Sequence, residues 1–190
     1  MTDDTIAFLE TVVGQPADLV GHSDGAFLAM LVAIQRPELV KRLVMISGGF
    51  NKSGEAVPDA EWNVDAITEF LGAAYGEVSP DGEDHFPVVA TKIGEMAAVE
   101  PTLQASELAK VTCRSLEMFA DDDLVTAQHM IDMYAALPNA ELAIVPGTSH
   151  FLTQEKPELV NKLVVDFLTI EPVATVAPIC RAPKPEVSPG

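Results

Sequence analysis

Apolar residues recur every three or four positions along some stretches of the chain and run on unbroken in others, and the two patterns alternate. From Asp3 to Val13 the helical period holds, with Ile6, Leu9 and Val13 on one face, until Gly14 and Pro16 end it. A short apolar strand follows at Asp18 to Val20. Gly25 to Gln35 reads as a helix that is apolar nearly all round and stops at Pro37; a helix without a polar face belongs in an interior. Arg42 to Ser47 is the next strand. Two more are expected at Ser115 to Phe119 and Glu141 to Val145, with a helix over Ala127 to Ala136 between them. An amphipathic helix from Pro157 to Leu168 closes the pattern, its proline suited to a first turn. Short apolar strands alternating with helices predict an α/β fold built on a parallel sheet.

The period changes between Gly48 and Thr112. Helices are expected at Val64 to Ala74, Val88 to Val99 and Ser106 to Lys110, with no strand among them, so residues 48–112 read as a helical insertion. The core is then formed by residues 1–47 and 113–170. Gly48-Gly49 supplies hinge material, and the acidic turn Ser79-Pro80-Asp81-Gly82-Glu83-Asp84 interrupts the insertion. Residues 171–190 carry five prolines and little periodicity, and are expected to form an extended or disordered tail.

Composition narrows the function classes. The 190 residues, 48% of them hydrophobic, suffice for one core with an excursion. Eleven Lys and Arg against 29 Asp and Glu leave a net charge of −18, which repels a phosphate backbone or an anionic membrane; neither nucleic acid nor membrane is an expected partner. Cys113 and Cys180 have no CxxC or Cys/His spacing, so both are expected reduced, with no zinc site. The start, Met1 to Asp4, lacks the basic and apolar parts of a secretion signal, and no apolar run reaches about 18 residues. A cytoplasmic setting is expected.

Gly21-His22-Ser23-Asp24-Gly25 is G-x-S-x-G, placed where an apolar strand stops and an apolar helix starts. That is the setting of a nucleophile elbow, in which a tight turn presents the serine and small residues two positions away on each side make room. The helix directs its positive end and its first amides toward the place where an oxyanion would develop. A serine hydroxyl needs a base, and His150, in the loop Pro146-Gly147-Thr148-Ser149-His150 just past the last strand, is the best placed of four histidines. His22 is expected to pack or to line the site, while His85 and His129 read as solvated. The carboxylates Asp121-Asp122-Asp123 follow another strand, and one of them should orient His150. As a cation site the triplet is poor, because adjacent side chains fan apart and no Gly-containing calcium loop surrounds them. No metal is expected. Glu117, a charge within a strand that should be buried, has no evident role.

The order Ser, Asp, His along the chain is that of the α/β-hydrolases. Leu19 to Gly25, Phe119 to Val125 and Pro146 to Phe151 resemble the small cofactor-free serine hydrolases of that superfamily, and the resemblance spans Asp3 to Leu168. It implies an α/β-hydrolase fold with a parallel sheet of about four strands, flanking helices and a helical cap. It also implies hydrolysis of carboxylic esters or related acyl compounds by Ser23, Asp123 and His150, with perhydrolase-like chemistry available to the same triad. Asp123 matches the family's Gly-x-x-Asp acid, with Ala120 in place of the glycine, and Asp122 is second choice. The Asp24 amide becomes an oxyanion donor, His22 and Phe151 border the substrate, and Trp62, Phe70, Tyr75 and Met96 are candidates for the cap's pocket wall.

Against the family pattern, the four strands that precede the serine strand are absent, and with them the second oxyanion amide. The strand at Asp18 to Val20 should then carry an open edge, which invites homodimerisation or completion of the sheet by another chain. A noncatalytic protein that associates through that edge is the rival expectation.

Overall fold

A computed structural model describes residues 1–57, 62–173 and 175–177. Helix α1 (Thr2–Phe8) widens into a π-helical stretch, Leu9–Val13, and stops at Gly14, whose φ of +67° suits a helix C-terminus. Strand β1 (Ala17–His22) runs directly into α2 (Asp24–Gln35), which ends ahead of Pro37, and β2 (Val40–Ile46) follows. Helix α3 (Val64–Val78) starts at Asn63, whose Oδ1 accepts from the Ala66 N–H at 3.0 Å, and packs on α4 (Phe86–Ala97). The chain continues through β3 (Arg114–Asp122), α5 (Ala127–Ala136), β4 (Ala140–Ser149), the single turn α6 (Leu152–Glu155) and α7 (Pro157–Thr169).

The four strands are parallel and lie in the order β1-β2-β3-β4. Alternation along β2 and β3 sends side chains to two different cores. Leu43, Met45 and Phe119 join Ala29 and Met30 of α2 and Met130 and Met133 of α5. Val44, Ile46, Leu116 and Met118 lie against Leu152, Val160 and Phe167 on the other face. Both faces of the inner strands are thus dry, as the apolar runs predict. β1 is an edge strand: Val20 is 51% exposed while its register partner Val44 is fully buried.

Two differences from the sequence pattern bear on the site. β3 and β4 extend past their apolar cores, so that Asp122 is still in register with Ser149, across an irregularity between Ala120 and Asp122. Polar strand ends carry no hydrophobic signal, yet the backbone ladder goes on. Residues Ala105–Lys110 form a 3-10 helix whose Leu108, with Val111 after it, is fully buried in the core on the α2 side. The end of the insertion therefore belongs to the core by packing. The expected tail beyond residue 177 lies outside the described residues. Among the described residues no helix is long and apolar enough to cross a membrane.

Candidate active site

Ser23 alone makes the turn between β1 and α2, at φ +56° and ψ −122°, backbone angles that a residue with a side chain adopts only when its surroundings enforce them. The enforcement is visible. Its N–H donates to the Ile46 carbonyl at 2.8 Å, and its own carbonyl accepts from the Ala26 N–H at 2.9 Å. A Cβ on Gly21 would lie 2.1 Å from the Gly25 carbonyl oxygen, so the turn requires glycine there. Gly25 is different: its Cβ would meet nothing within 4 Å, which corrects the expectation that both flanking glycines are sterically required. The second requirement falls on Gly48, past the end of β2, where a Cβ would come within 2.5 Å of the Ala26 Cβ.

The structure brings together the three side chains expected from the sequence. His150 Nε2 lies 3.0 Å from Ser23 Oγ, and His150 Nδ1 lies 2.9 Å from Asp123 Oδ1. A carboxylate can only accept, so the imidazole proton sits on Nδ1 and Nε2 is left to accept from the serine. The Asp123 side chain is fully buried and that of His150 is 13% exposed. Burial by itself pushes the Asp123 carboxyl up, but hydrogen bonds from His150, Ser47 and Ala120 outweigh it and hold the group below the ordinary carboxylate value. Asp24 opens α2, and a first-turn amide has no carbonyl partner within its own helix.

The other two aspartates take no part in orienting His150. Asp121 Oδ1 accepts from the Thr148 N–H at 3.1 Å, and hydrogen bonds from Gly147 and Thr148 lower its carboxyl pKa; this ties the loop before His150 to β3. Asp122 is exposed. Glu155 grips Ser149 at both the N–H and the hydroxyl, each at 2.7 Å. His22 Nε2 donates to the His150 carbonyl at 2.8 Å, so the residue before the serine braces the loop that carries the base. Only its position next to Ser23 pointed to it, and nothing in the sequence singled out Glu155.

A cavity of about 390 Å³ opens over Ser23 and His150. Phe27, Leu28, Leu31, Met96, Leu124 and Val125 make its walls apolar, while Ser47, Asn51, Asp24, Glu55 and Glu100 add polar groups. His22 and Phe151 are not in its lining; Phe151 stands edge-on to both His150 and Phe70. Of the four cap residues considered from sequence, only Met96 reaches the cavity. Trp62 donates to the Ala90 carbonyl and packs on Gly94, and Tyr75 packs on Phe86. His129 is not solvated: it is 4% exposed, stacks on Phe50 and accepts the Phe50 N–H at Nε2, 3.1 Å away. His85 is half-buried. Among the described residues no group of three His, Cys, Asp or Glu side chains is arranged to hold a metal ion.

The sequence matches the alpha/beta hydrolase family over residues 2–163, and the chain belongs to that family. The uncharacterized hydrolase YugF of Bacillus subtilis is 27% identical over 192 residues, a span that covers 86% of this chain and 69% of YugF. Est816, an N-acyl homoserine lactone degrading enzyme, superposes with a TM-score of 0.66 at 21% identity, over 87% of this chain and 73% of its own. A carboxylesterase of Nitrososphaera gargenis gives 0.64 at 21% identity, over 89% and 70%. At these identities the solved structures show the shared fold.

Proposed function

We propose that the chain is a serine hydrolase of carboxylic esters or related acyl compounds, working in the cytoplasm through Ser23, His150 and Asp123. The observation that carries the reading is the unbroken run of hydrogen bonds from Ser23 Oγ through His150 to Asp123 at the mouth of an apolar cavity. His150 Nε2 takes the Ser23 proton as Oγ attacks the acyl carbon, and Asp123 stabilises the imidazolium that forms. The tetrahedral oxyanion faces the Asp24 N–H, a type of contact that contributes about 10²- to 10³-fold in rate. His150 then protonates the departing alkoxide, and water, activated by the same imidazole, releases the acyl group from Ser23. The cavity walls suit an aliphatic acyl chain. Est816, which degrades N-acyl homoserine lactones, and the Nitrososphaera carboxylesterase act on acyl compounds and support the same substrate class.

A fluorophosphonate probe, which reacts with activated serines, tests the reading directly. The expected result is labelling of the native chain, release of p-nitrophenol from p-nitrophenyl butyrate, and loss of both in Ser23→Ala. Folded native protein that stays unlabelled overturns it. That outcome would favour the second reading, a noncatalytic protein associating through β1, which the half-exposed Val20 on an edge strand supports.

A further inference from the structure

Ser47 has no step in the proposed reaction, yet its placement demands an explanation. It follows directly on β2, is 2% exposed, and has a φ of +52°. A side chain in that left-handed region is strained where glycine would not be, and glycine is what the chain uses at the next two positions. The compensating contact is a hydrogen bond: Ser47 Oγ donates to Asp123 Oδ2 at 2.6 Å, while the Ser47 N–H is fixed to the Met118 carbonyl at 2.8 Å.

Asp123 has three other donors. Oδ2 also takes the Ala120 N–H at 3.0 Å, and Oδ1 takes the Leu124 N–H at 2.8 Å together with His150 Nδ1. Ala120 lies near the end of β3 and Leu124 directly follows the aspartate, so both reach it from its own stretch of chain. Ser47 comes from the end of the neighbouring strand β2, so its bond alone among the donors other than His150 ties the carboxylate to a strand other than β3. Ser47 also borders the cavity, but its hydroxyl is committed to Asp123.

We infer that Ser47 is a positioning residue, whose hydroxyl fixes the Asp123 carboxylate against the end of β2 in the rotation that keeps His150 aimed at Ser23. The inference rests on the hydrolase reading for its consequence in rate, and on geometry alone for the contact. Hydrogen bonds to a charged group contribute about 1.5–3 kcal/mol, or about 10- to 100-fold in rate where the bond serves the transition state.

Two variants separate the hydroxyl from the backbone. Ser47→Gly removes the hydroxyl and relieves the strained φ; Ser47→Ala removes the hydroxyl and keeps the strain. Both are expected to lower kcat and the fluorophosphonate labelling rate about 10- to 100-fold, with KM within about twofold of native. The Gly variant is expected to melt within a few degrees of native, its strain relief offsetting its greater unfolded-state entropy. A readout that needs no turnover is the NMR resonance of the His150 Nδ1 proton, assigned by its loss in His150→Ala. It should shift upfield and broaden in both variants. A folded Ser47→Gly protein with native kcat and an unmoved resonance overturns the inference. Native protein that neither labels nor turns over, but whose resonance still responds to Ser47→Gly, overturns the hydrolase reading while supporting the contact.

Discussion

Glu117 in the middle of β3 and Asp123 just past its end are both carboxyls shut away from water, and they fare in opposite ways. Neither side chain is exposed. Asp123 collects donors from Ser47, Ala120, Leu124 and His150, and its pKa lies below the ordinary value. Glu117 has no hydrogen-bond partner for either oxygen among the described residues, and desolvation pushes its pKa up to about 8. Burial is common to both, so burial does not decide the charge. The difference is where each sits on the strand. In the middle, backbone amides are consumed by the ladder, and the register partners of Glu117, Met45 and Leu142, have nothing polar to offer. Near the end the ladder is interrupted by the irregularity between Ala120 and Asp122, the amides of Ala120 and Leu124 donate to Asp123, and a carboxylate can be held ionised beside a histidine. Strand ends become sites because unspent backbone donors gather there.

The largest effect that follows is on rate. Asp123→Asn keeps the shape of the side chain but offers His150 an amide that can present its N–H, so the imidazole no longer holds its proton on Nδ1. The expected loss in kcat/KM is about 10⁴-fold, with little change in stability, measured on p-nitrophenyl esters beside Ser23→Ala. Native turnover in Asp123→Asn would remove the functional side of the comparison.

Next in size is Glu117, whose signature is stability. Its folded pKa is raised from 4.5 to about 8, so between those values the folded chain binds more protons than the unfolded one, and stability falls as pH rises. The loss begins near pH 4.5, reaches about 3 kcal/mol by pH 7, and levels off near 5 kcal/mol above pH 8. Replacing a buried, unpaired acid by an apolar residue removes that penalty. Glu117→Leu should therefore resist urea better than native at pH 7, by about 3 kcal/mol, and its midpoint should be flat from pH 6.5 to 8, where the native one still declines. Equal midpoints at pH 6.5 and pH 9 in the native chain, above the range in which His129 titrates, would show that Glu117 has found a partner.

The same contrast explains what could be read from the sequence. The fold was legible because the apolar run at Leu43 to Ile46 and the stretch Leu116 to Ala120, apolar but for Glu117, are the interior of a parallel sheet, and the strand-turn-helix around Ser23 announces itself in its glycines. His150 and the aspartate turn were legible because both lie past strand ends. What was not legible depends on contacts between segments distant in sequence. Ser47 is an ordinary serine until its φ and its neighbour Asp123 are known, and Gly48 is a hinge until Ala26 is seen beneath it. The triplet by itself did not say which aspartate meets His150; the Gly-x-x-Asp spacing of the family it resembles put Asp123 ahead of Asp122, and the structure sets Asp123 against His150, leaves Asp122 exposed and turns Asp121 toward the Thr148 amide.

His129 is the intermediate case and the finest test. It is buried as Glu117 is, but it has one bond, from the Phe50 N–H to Nε2, and it escapes the cost of charge by staying neutral. Desolvation lowers its pKa below 6.5, with Asp132 acting weakly in the other direction. A lowered histidine leaves the unfolded chain binding more protons, so this contribution is complete above pH 6.5 and is lost as pH falls below it, opposite in sign to that of Glu117. Between pH 4.5 and 6.5 the two slopes overlap and partly cancel in the native chain. They separate in a Glu117→Leu background, where urea midpoints should decline on acidification from pH 6.5 toward 5. Adding His129→Phe keeps a ring against Phe50 but leaves the Phe50 N–H without an acceptor, at a cost of about 1–3 kcal/mol at pH 7.5. That double variant should be less stable than Glu117→Leu alone near neutrality and should lose the decline on acidification. A decline that persists would assign the acid-side instability to another group and leave His129 as packing alone.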